Sequence, residues 1–204
     1  MFIYLDGFSV KSTVCILSTN LFEVKFSYVS SGQIGAVCQT ANWNSTGRLI
    51  AGTANSYGTQ PTRLRSPSDI AFDTDGSLYV TDTTNDRIQK FPPGSTTGTT
   101  LAGLTVVDPT GIYATNSNVL YIVDSTNYRV LRWSNNVSTI VAGGNANGNT
   151  LNKMSTSYAL YIDRNFNIYV SDYGNHRVTF WIAGNTATSQ IVRITVFFVF
   201  FRTI

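Results

Sequence analysis

The chain has 204 residues and a net charge of +3, and charged side chains make up 12% of it, about half the usual share of soluble domains. Two cysteines and one histidine exclude a cysteine-rich scaffold and a CxxC metal site, while the scattered Lys and Arg form no basic tract, so charge neither supports nor excludes nucleic acid. Gly, Ser, Thr, Asn and Tyr stand where a helical protein would carry Ala, Leu, Glu and Lys, and this predicts strands and turns in one all-β domain.

Residues 1–35 form an atypical N-terminal segment. In "MFIYLDGFSVKSTVCILSTNLF" Asp6 and Lys11 interrupt the apolar stretch, which lacks the basic start and small-residue cleavage site of a signal peptide. Cys15 and Cys38 can form one disulfide in an oxidising compartment or remain two thiols.

Residues 36–192 hold the patterned region. "WNSTGRLIAGT" (43–53) reads as the outermost strand of an incomplete unit before residue 67. Then "SLYVTDTTNDRIQKF" (77–91), "VLYIVDSTNYRVLRW" (119–133) and "NIYVSDYGNHRVTFW" (167–181) repeat one order of aromatic, aliphatic, Asp, Asn, Arg and aromatic residues. Their tyrosines, Tyr79, Tyr121 and Tyr169, recur after about 42 and about 48 residues, a range shared by propellers and helical solenoids. "LYVTD", "LYIVD" and "IYVSD" are short, β-branched and aromatic, without the i, i+3, i+4 spacing of an amphipathic helix.

Each copy divides into four strands, as in "SDIAFD", "SLYVTD", "DRIQKF" and "TTLAG". Turn formers join them: Asp75-Gly76, Thr83-Thr84-Asn85 and Pro92-Pro93-Gly94. A four-stranded meander of about 40 residues is a propeller blade, and the blades are placed at about 67–103, 109–144 and 157–192.

The turns Asn85-Asp86-Arg87, Asn127-Tyr128-Arg129 and Asn175-His176-Arg177, each preceded by a "YVTD"-like strand and followed in the first two copies by "LAG" or "VAGG", resemble the signature of NHL repeats. The resemblance covers roughly residues 40 to 192. It implies an all-β fold: a partial NHL-type propeller of three to four four-stranded antiparallel blades, about half of the usual six-bladed circle. The end blades of such a half circle would present apolar faces and unpaired edges that favour self-association.

Packing explains most of the repeated residues. Consecutive apolar residues such as Leu78, Tyr79 and Val80 predict a strand buried on both faces. Asp82, Asp124 and Asp172 close strand two, and Arg87, Arg129 and Arg177 open strand three, so a tight turn brings each pair within reach of a charge-assisted hydrogen bond. Asn85, Asn127 and Asn175 belong to the same turns. Gly103, Gly143 and Gly144 follow the outer strand, where a positive φ is useful.

No catalytic constellation is legible, and the sequence predicts neither an enzyme nor a bound cofactor. His176 fills the variable position of the Asn-x-Arg turn. The NHL-type amidating lyases hold zinc with several histidines, which this chain does not have. Related six-bladed hydrolases place Asp, Asn and Glu around a channel calcium; Asp69, Asp73 and Asp163 are the residues such a remnant would use. GxSxG, Walker A and dinucleotide motifs are absent.

The resemblance implies a binding scaffold that takes a protein ligand on its loop-rich rim. Tyr128 and Tyr173 are the aromatic anchors to test there, with Arg87, Arg129 and Arg177 as contacts. RNA is the alternative ligand, through Arg87, Lys90, Arg129, Arg132 and Arg177; DNA is not expected. The RING and B-box domains of cytoplasmic NHL ligases are missing, so ligase activity does not carry over. The sequons Asn44-Ser45-Thr46 and Asn136-Val137-Ser138 are no more than an Asn- and Ser-rich chain yields by chance, and the low lysine content leans toward an extracellular parent protein.

Residues 193–204 form an apolar tail. Val196 to Phe201, between Arg193 and Arg202, falls far short of the roughly 18 residues of a membrane span and is aggregation-prone unless covered. The repeat stops just before it, as expected for a fragment of a longer protein.

Overall fold

The computed structural model describes residues 13–20, 23–29, 46–116 and 119–191. The chain divides into two compact units, Met1–Arg48 and Leu49–Ile204. In the first, β1 (Thr13–Asn20) pairs antiparallel with β2 (Glu23–Val29), and the register shifts between Leu17 and Asn20. Cys38 and the 193–204 tail lie outside the described residues.

The second unit contains three four-stranded antiparallel sheets, each in simple meander order. Blade 1 is β3 (Pro67–Phe72), β4 (Leu78–Asp82), β5 (Arg87–Phe91) and β6 (Thr99–Thr100). Blade 2 is β7 (Pro109–Asn116), β8 (Val119–Asp124), β9 (Arg129–Ser134) and β10 (Val137–Gly143). Blade 3 is β11 (Leu160–Ile162), β12 (Ile168–Asp172), β13 (Arg177–Trp181) and β14 (Gln190–Ile191).

The central hairpin of each blade is set by one turn chemistry. Asp82 stands opposite Arg87, Asp124 opposite Arg129 and Asp172 opposite Arg177. Between them, Asp86, Tyr128 and His176 adopt φ of 53°, 52° and 54°, a left-handed turn that lets the arginine re-enter the ladder at once. The outer hairpin of blade 2 uses Asn135-Asn136 with φ of 49° and 61°, the pair of positive φ values of a type I′ turn.

In blade 2 both faces of strand two are apolar because both are covered. Tyr79 and Ile88 of blade 1 pack with Ile112, Leu120, Ile122, Leu131 and Trp133 of blade 2. Tyr121, Val123 and Val130 on the opposite face of blade 2 pack with Ile162, Ile168, Val170 and Trp181 of blade 3. Each large side chain fully buried this way contributes about 1.5–3 kcal/mol. Gly103, at φ 66°, lies so close to the Asn136 carbonyl that a Cβ would overlap it, so this glycine sets how near blade 2's outer turn sits to blade 1.

Two outer-strand expectations need correction. The fourth strand of blade 1 is only Thr99–Thr100, not 99–103, because Gly103 turns the chain away. Of residues 43–53, read as the outermost strand of a preceding blade, the described part, 46–53, forms no strand beyond an isolated bridge at Thr53, and Leu49 and Ile50 are exposed. A single segment has no ladder without neighbouring strands.

Candidate functional site

The repeated polar residues build three copies of one clamp. Asp82, Asp124 and Asp172 are completely buried, and each accepts the same three donors. Asp82 accepts the Arg65 N–H (2.6 Å), Asn85 Nδ2 (3.0 Å) and Arg87 Nε (2.6 Å). Asp124 accepts Val107 N–H (2.8 Å), Asn127 Nδ2 (3.0 Å) and Arg129 Nε (2.6 Å). Asp172 accepts Ser155 N–H (2.8 Å), Asn175 Nδ2 (2.9 Å) and Arg177 Nε (2.8 Å). A buried carboxylate with a charged partner and two further donors is fully satisfied.

The rest of each guanidinium reaches the linker that enters the blade. Arg87 donates to the carbonyls of Thr59 (2.6 Å), Gln60 (3.3 Å) and Arg63 (3.1 Å). Arg177 donates to those of Asn149 (2.6 Å), Thr150 (3.2 Å) and Lys153 (2.9 Å). Among the described residues, the only linker carbonyl to which Arg129 donates is that of Thr105 (3.2 Å). The clamp thus sews each linker to its own blade, and all three clamps lie at the end of the sheets where strands two and three join.

A second stitch crosses between blades. Ser68 Oγ meets Thr83 Oγ1 (2.8 Å) and donates to the Thr110 carbonyl (2.8 Å), while Thr83 Oγ1 donates to the Pro109 carbonyl (2.8 Å). Thr110 Oγ1 in turn donates to the Ser157 carbonyl (2.8 Å) of the linker into blade 3. Asp69, one of the residues considered for calcium, spends Oδ2 on the Ile112 N–H (2.9 Å).

Asp73 and Asp163, at the opposite end of the inner strands, organise the first hairpin turns. Asp73 Oδ1 accepts N–H groups of Asp75 and Ser77, and Oδ2 accepts the Tyr79 hydroxyl (3.0 Å). Burial pushes the Tyr79 phenol above its ordinary value. Contact with that phenol, reinforced by Asp73, raises the Lys90 ammonium, which lies 5.1 Å from the Tyr79 ring centre. Burial pushes the Asp163 carboxyl up, but hydrogen bonds from the Asn167 side chain and the N–H groups of Asn167 and Asn165 more than reverse this and hold it below the ordinary aspartate value. Asp69 lies at the other end of the strand from Asp73, and among the described residues no three His, Cys, Asp or Glu side chains gather into a metal-sized cluster.

The two tyrosines considered as anchors differ. Tyr128 is half-buried and packs against the core between blades 2 and 3. Tyr173 is 61% exposed and meets Tyr158, itself 50% exposed, edge to face at 5.0 Å. Sequence reasoning missed Tyr158. By strand position Tyr158 and Tyr173 stand where blade 1 has the stitching hydroxyls Ser68 and Thr83, and that exchange was the available signal.

Blade 3 also exposes one sheet face. Val178 stands at the position of Ile88 and Val130, which are fully buried, yet is 44% exposed, and Tyr161 beside it is 57% exposed. Tyr161, Tyr169 and Phe180 form a run of ring contacts at 6.1 and 4.9 Å there. On the opposite-facing side of blade 1, Ile70 and Phe72 are 54% and 55% exposed, whereas their counterparts Ile112 and Ile162 are buried at 5% and 2%.

Antiparallel four-stranded meanders stacked through strands apolar on both faces define a β-propeller-like protein. Residues 64–91, from the end of the first long linker through β5, match the family model of the NHL repeat. Its fold is similar to a chain of a nidogen/laminin complex, at 16% identity and a TM-score of 0.51, covering 62% of this chain and 48% of that one. It is also similar to virginiamycin B lyase from Staphylococcus aureus, at 16% identity and a TM-score of 0.50, covering 69% of this chain and 45% of that one. The chain therefore spans less than half the length of either structure. No curated protein matches it in sequence.

Proposed function

We propose that the chain is a non-catalytic interaction scaffold whose partner is protein, and that the first such partner is a second copy of itself. The carrying observation is the pair of open faces: Tyr161, Tyr169, Val178 and Phe180 on blade 3, and Ile70 and Phe72 on blade 1. These are the two kinds of face that meet at both internal blade junctions, so blade 3 of one copy against blade 1 of another continues an interface the protein already makes twice. Front-to-back contacts close into a two-fold ring when each copy spans half the circle, in keeping with a chain that covers under half of each propeller-like neighbour.

The repeated charges favour protein over RNA. Arg87 and Arg177 are 14% and 11% exposed and are held by a buried carboxylate and their own linker carbonyls. Lys90 is paired with Asp73 at 3.5 Å. A strand-tracking groove needs cations free to meet phosphates. One of the similar structures also comes from a complex of proteins, nidogen with laminin. The repeated Asp, Asn and Arg residues serve as fasteners in every blade, which leaves them no catalytic task.

Complementing variants test the reading. Val178 and Phe72 are exposed, so Val178→Arg and Phe72→Arg leave the fold intact while blocking the blade 3 and blade 1 faces respectively. The full chain is expected to sediment as a dimer, each variant alone as a monomer, and an equimolar mixture as a dimer through its one intact junction. Monomeric wild type, or single variants that still dimerise, would overturn it.

A further inference from the structure

The three clamps are not filled alike. In blades 1 and 3, three consecutive main-chain carbonyls of a long linker close them. Gly58, Thr59 and Gln60 accept Asn85 Nδ2 (2.9 Å), Arg87 Nη1 (2.6 Å) and Arg87 Nη2 (3.3 Å). Gly148, Asn149 and Thr150 accept Asn175 Nδ2 (2.8 Å), Arg177 Nη1 (2.6 Å) and Arg177 Nη2 (3.2 Å). The two linkers share Gly58 and Gly148, Arg63 and Lys153, and Leu64 and Met154 at equal spacing, differ at the other two contact positions, and make one hydrogen-bond pattern.

In blade 2 the linker from Gly103 to Val107 is too short to supply such a tripeptide. Among the described residues, Asn127 Nδ2 bonds Asp124 alone and Arg129 Nη1 meets no acceptor. Arg129 Nη2 keeps only the Thr105 carbonyl, the counterpart of Arg63 and Lys153. Its side chain is correspondingly more open, 24% against 14% and 11%. Asp124 still fixes Nε at 2.6 Å, so the fork is oriented as in its two sister clamps, and an oriented donor set loses little freedom on binding.

We propose that the blade 2 rim is a peptide-binding site in which Asn127 and Arg129 take three successive main-chain carbonyls from a loop of a partner protein, as the long linkers do in blades 1 and 3. The intramolecular occupants, Gly58-Thr59-Gln60 and Gly148-Asn149-Thr150, define the ligand class: a loop with a small first residue followed by two uncharged polar residues. Recognition through carbonyls tolerates side-chain variation, since the two known occupants share only glycine. The site deepens the protein-scaffold reading and rests on it, but it lies on the rim and does not require the open faces.

The probe is an end-blocked peptide with the sequence of residues 146–153, ANGNTLNK, titrated into the full chain while the arginine Nε–H and asparagine side-chain signals are followed by nuclear magnetic resonance. The expected result is saturable movement of the Arg129 and Asn127 signals, with Arg87 and Arg177 unmoved and affinity on the order of millimolar for a few solvent-edged hydrogen bonds. Arg129→Lys keeps the charge beside Asp124 but loses the fork, and should weaken binding at least tenfold. Replacing Leu104–Val106 by residues 145–154 should fill the clamp from within and abolish the peptide effect. No movement of Arg129 at saturating peptide, equal movement of all three arginines, or full binding by Arg129→Lys would overturn the proposal. Peptide binding by a monomeric chain would keep this site while removing the ring closure; a dimer that ignores the peptide would do the reverse.

Discussion

Replacing Arg87, Arg129 and Arg177 by alanine, one at a time, separates the clamp's two tasks. Each replacement removes the cation from a carboxylate that is completely buried, and breaking a buried pair from one side costs about 3–5 kcal/mol. Arg87 and Arg177 additionally lose two linker carbonyls each, at 2.6 and 3.3 Å and at 2.6 and 3.2 Å. At about 0.5–1.5 kcal/mol per bond, Arg87→Ala and Arg177→Ala should be less stable than Arg129→Ala by about 1–3 kcal/mol. For a domain of this size that is a Tm difference of about 2–4 °C per kcal/mol. Urea unfolding followed by the fluorescence of the buried Trp133 and Trp181 reads the difference. Trypsin supplies a local readout, because Arg63, Arg65 and Lys153 lie in the long linkers and should become cleavable when Arg87 or Arg177 is lost. If Arg129→Ala proved as costly as the other two, the linker bonds would contribute nothing and the reasoning would fail.

Gly103→Ala places a Cβ against the Asn136 carbonyl at a positive φ, and should destabilise by more than about 3 kcal/mol; Gly94→Ala, also at positive φ but with open space around it, should cost only about 1 kcal/mol, as thermal melts of the pair would show. Asn167→Ala removes the side-chain bond that lowers the Asp163 carboxyl. A depressed folded-state value gives stability that is present above the ordinary aspartate range and lost as pH falls through the folded value, so this variant should be less stable than the parent at neutral pH, with the gap narrowing in acid, as urea unfolding at a series of pH values would show. Tyr158→Ala with Tyr173→Ala, both exposed, should change stability by less than about 1.5 kcal/mol while lowering the stability of any dimer, measured by dilution.

The central hairpins were legible because their signals are side-chain signals: short runs of consecutive β-branched and aromatic residues, and an Asp, Asn and Arg at fixed spacing that the turn at Asp86, Tyr128 and His176 brings together. What the arginines fasten was not legible. Thr59, Gln60, Asn149 and Thr150 act through carbonyls, which every residue possesses, so these contact positions carry no side-chain signal, although Gly58 and Gly148 recur at one spacing from Arg63 and Lys153. Linker length is nevertheless visible as the unequal spacing of Tyr79, Tyr121 and Tyr169, and it sets Arg129 apart. The outer strands failed for a different reason. Thr99–Thr100 and residues 47–50 have a strand's composition, but a ladder also needs a continuous neighbour, which Gly103 ends in one case and which the described residues do not supply in the other. Tyr158 was passed over because it interrupts the repeat.

Sedimentation equilibrium of the full 22.4 kDa chain across a dilution series tests the scaffold reading most directly. A mass twice that of the chain, falling to the monomer on dilution and abolished by Val178→Arg, is the result expected if the open blade faces join two copies. A monomer at every concentration, or a dimer indifferent to Val178, would contradict it.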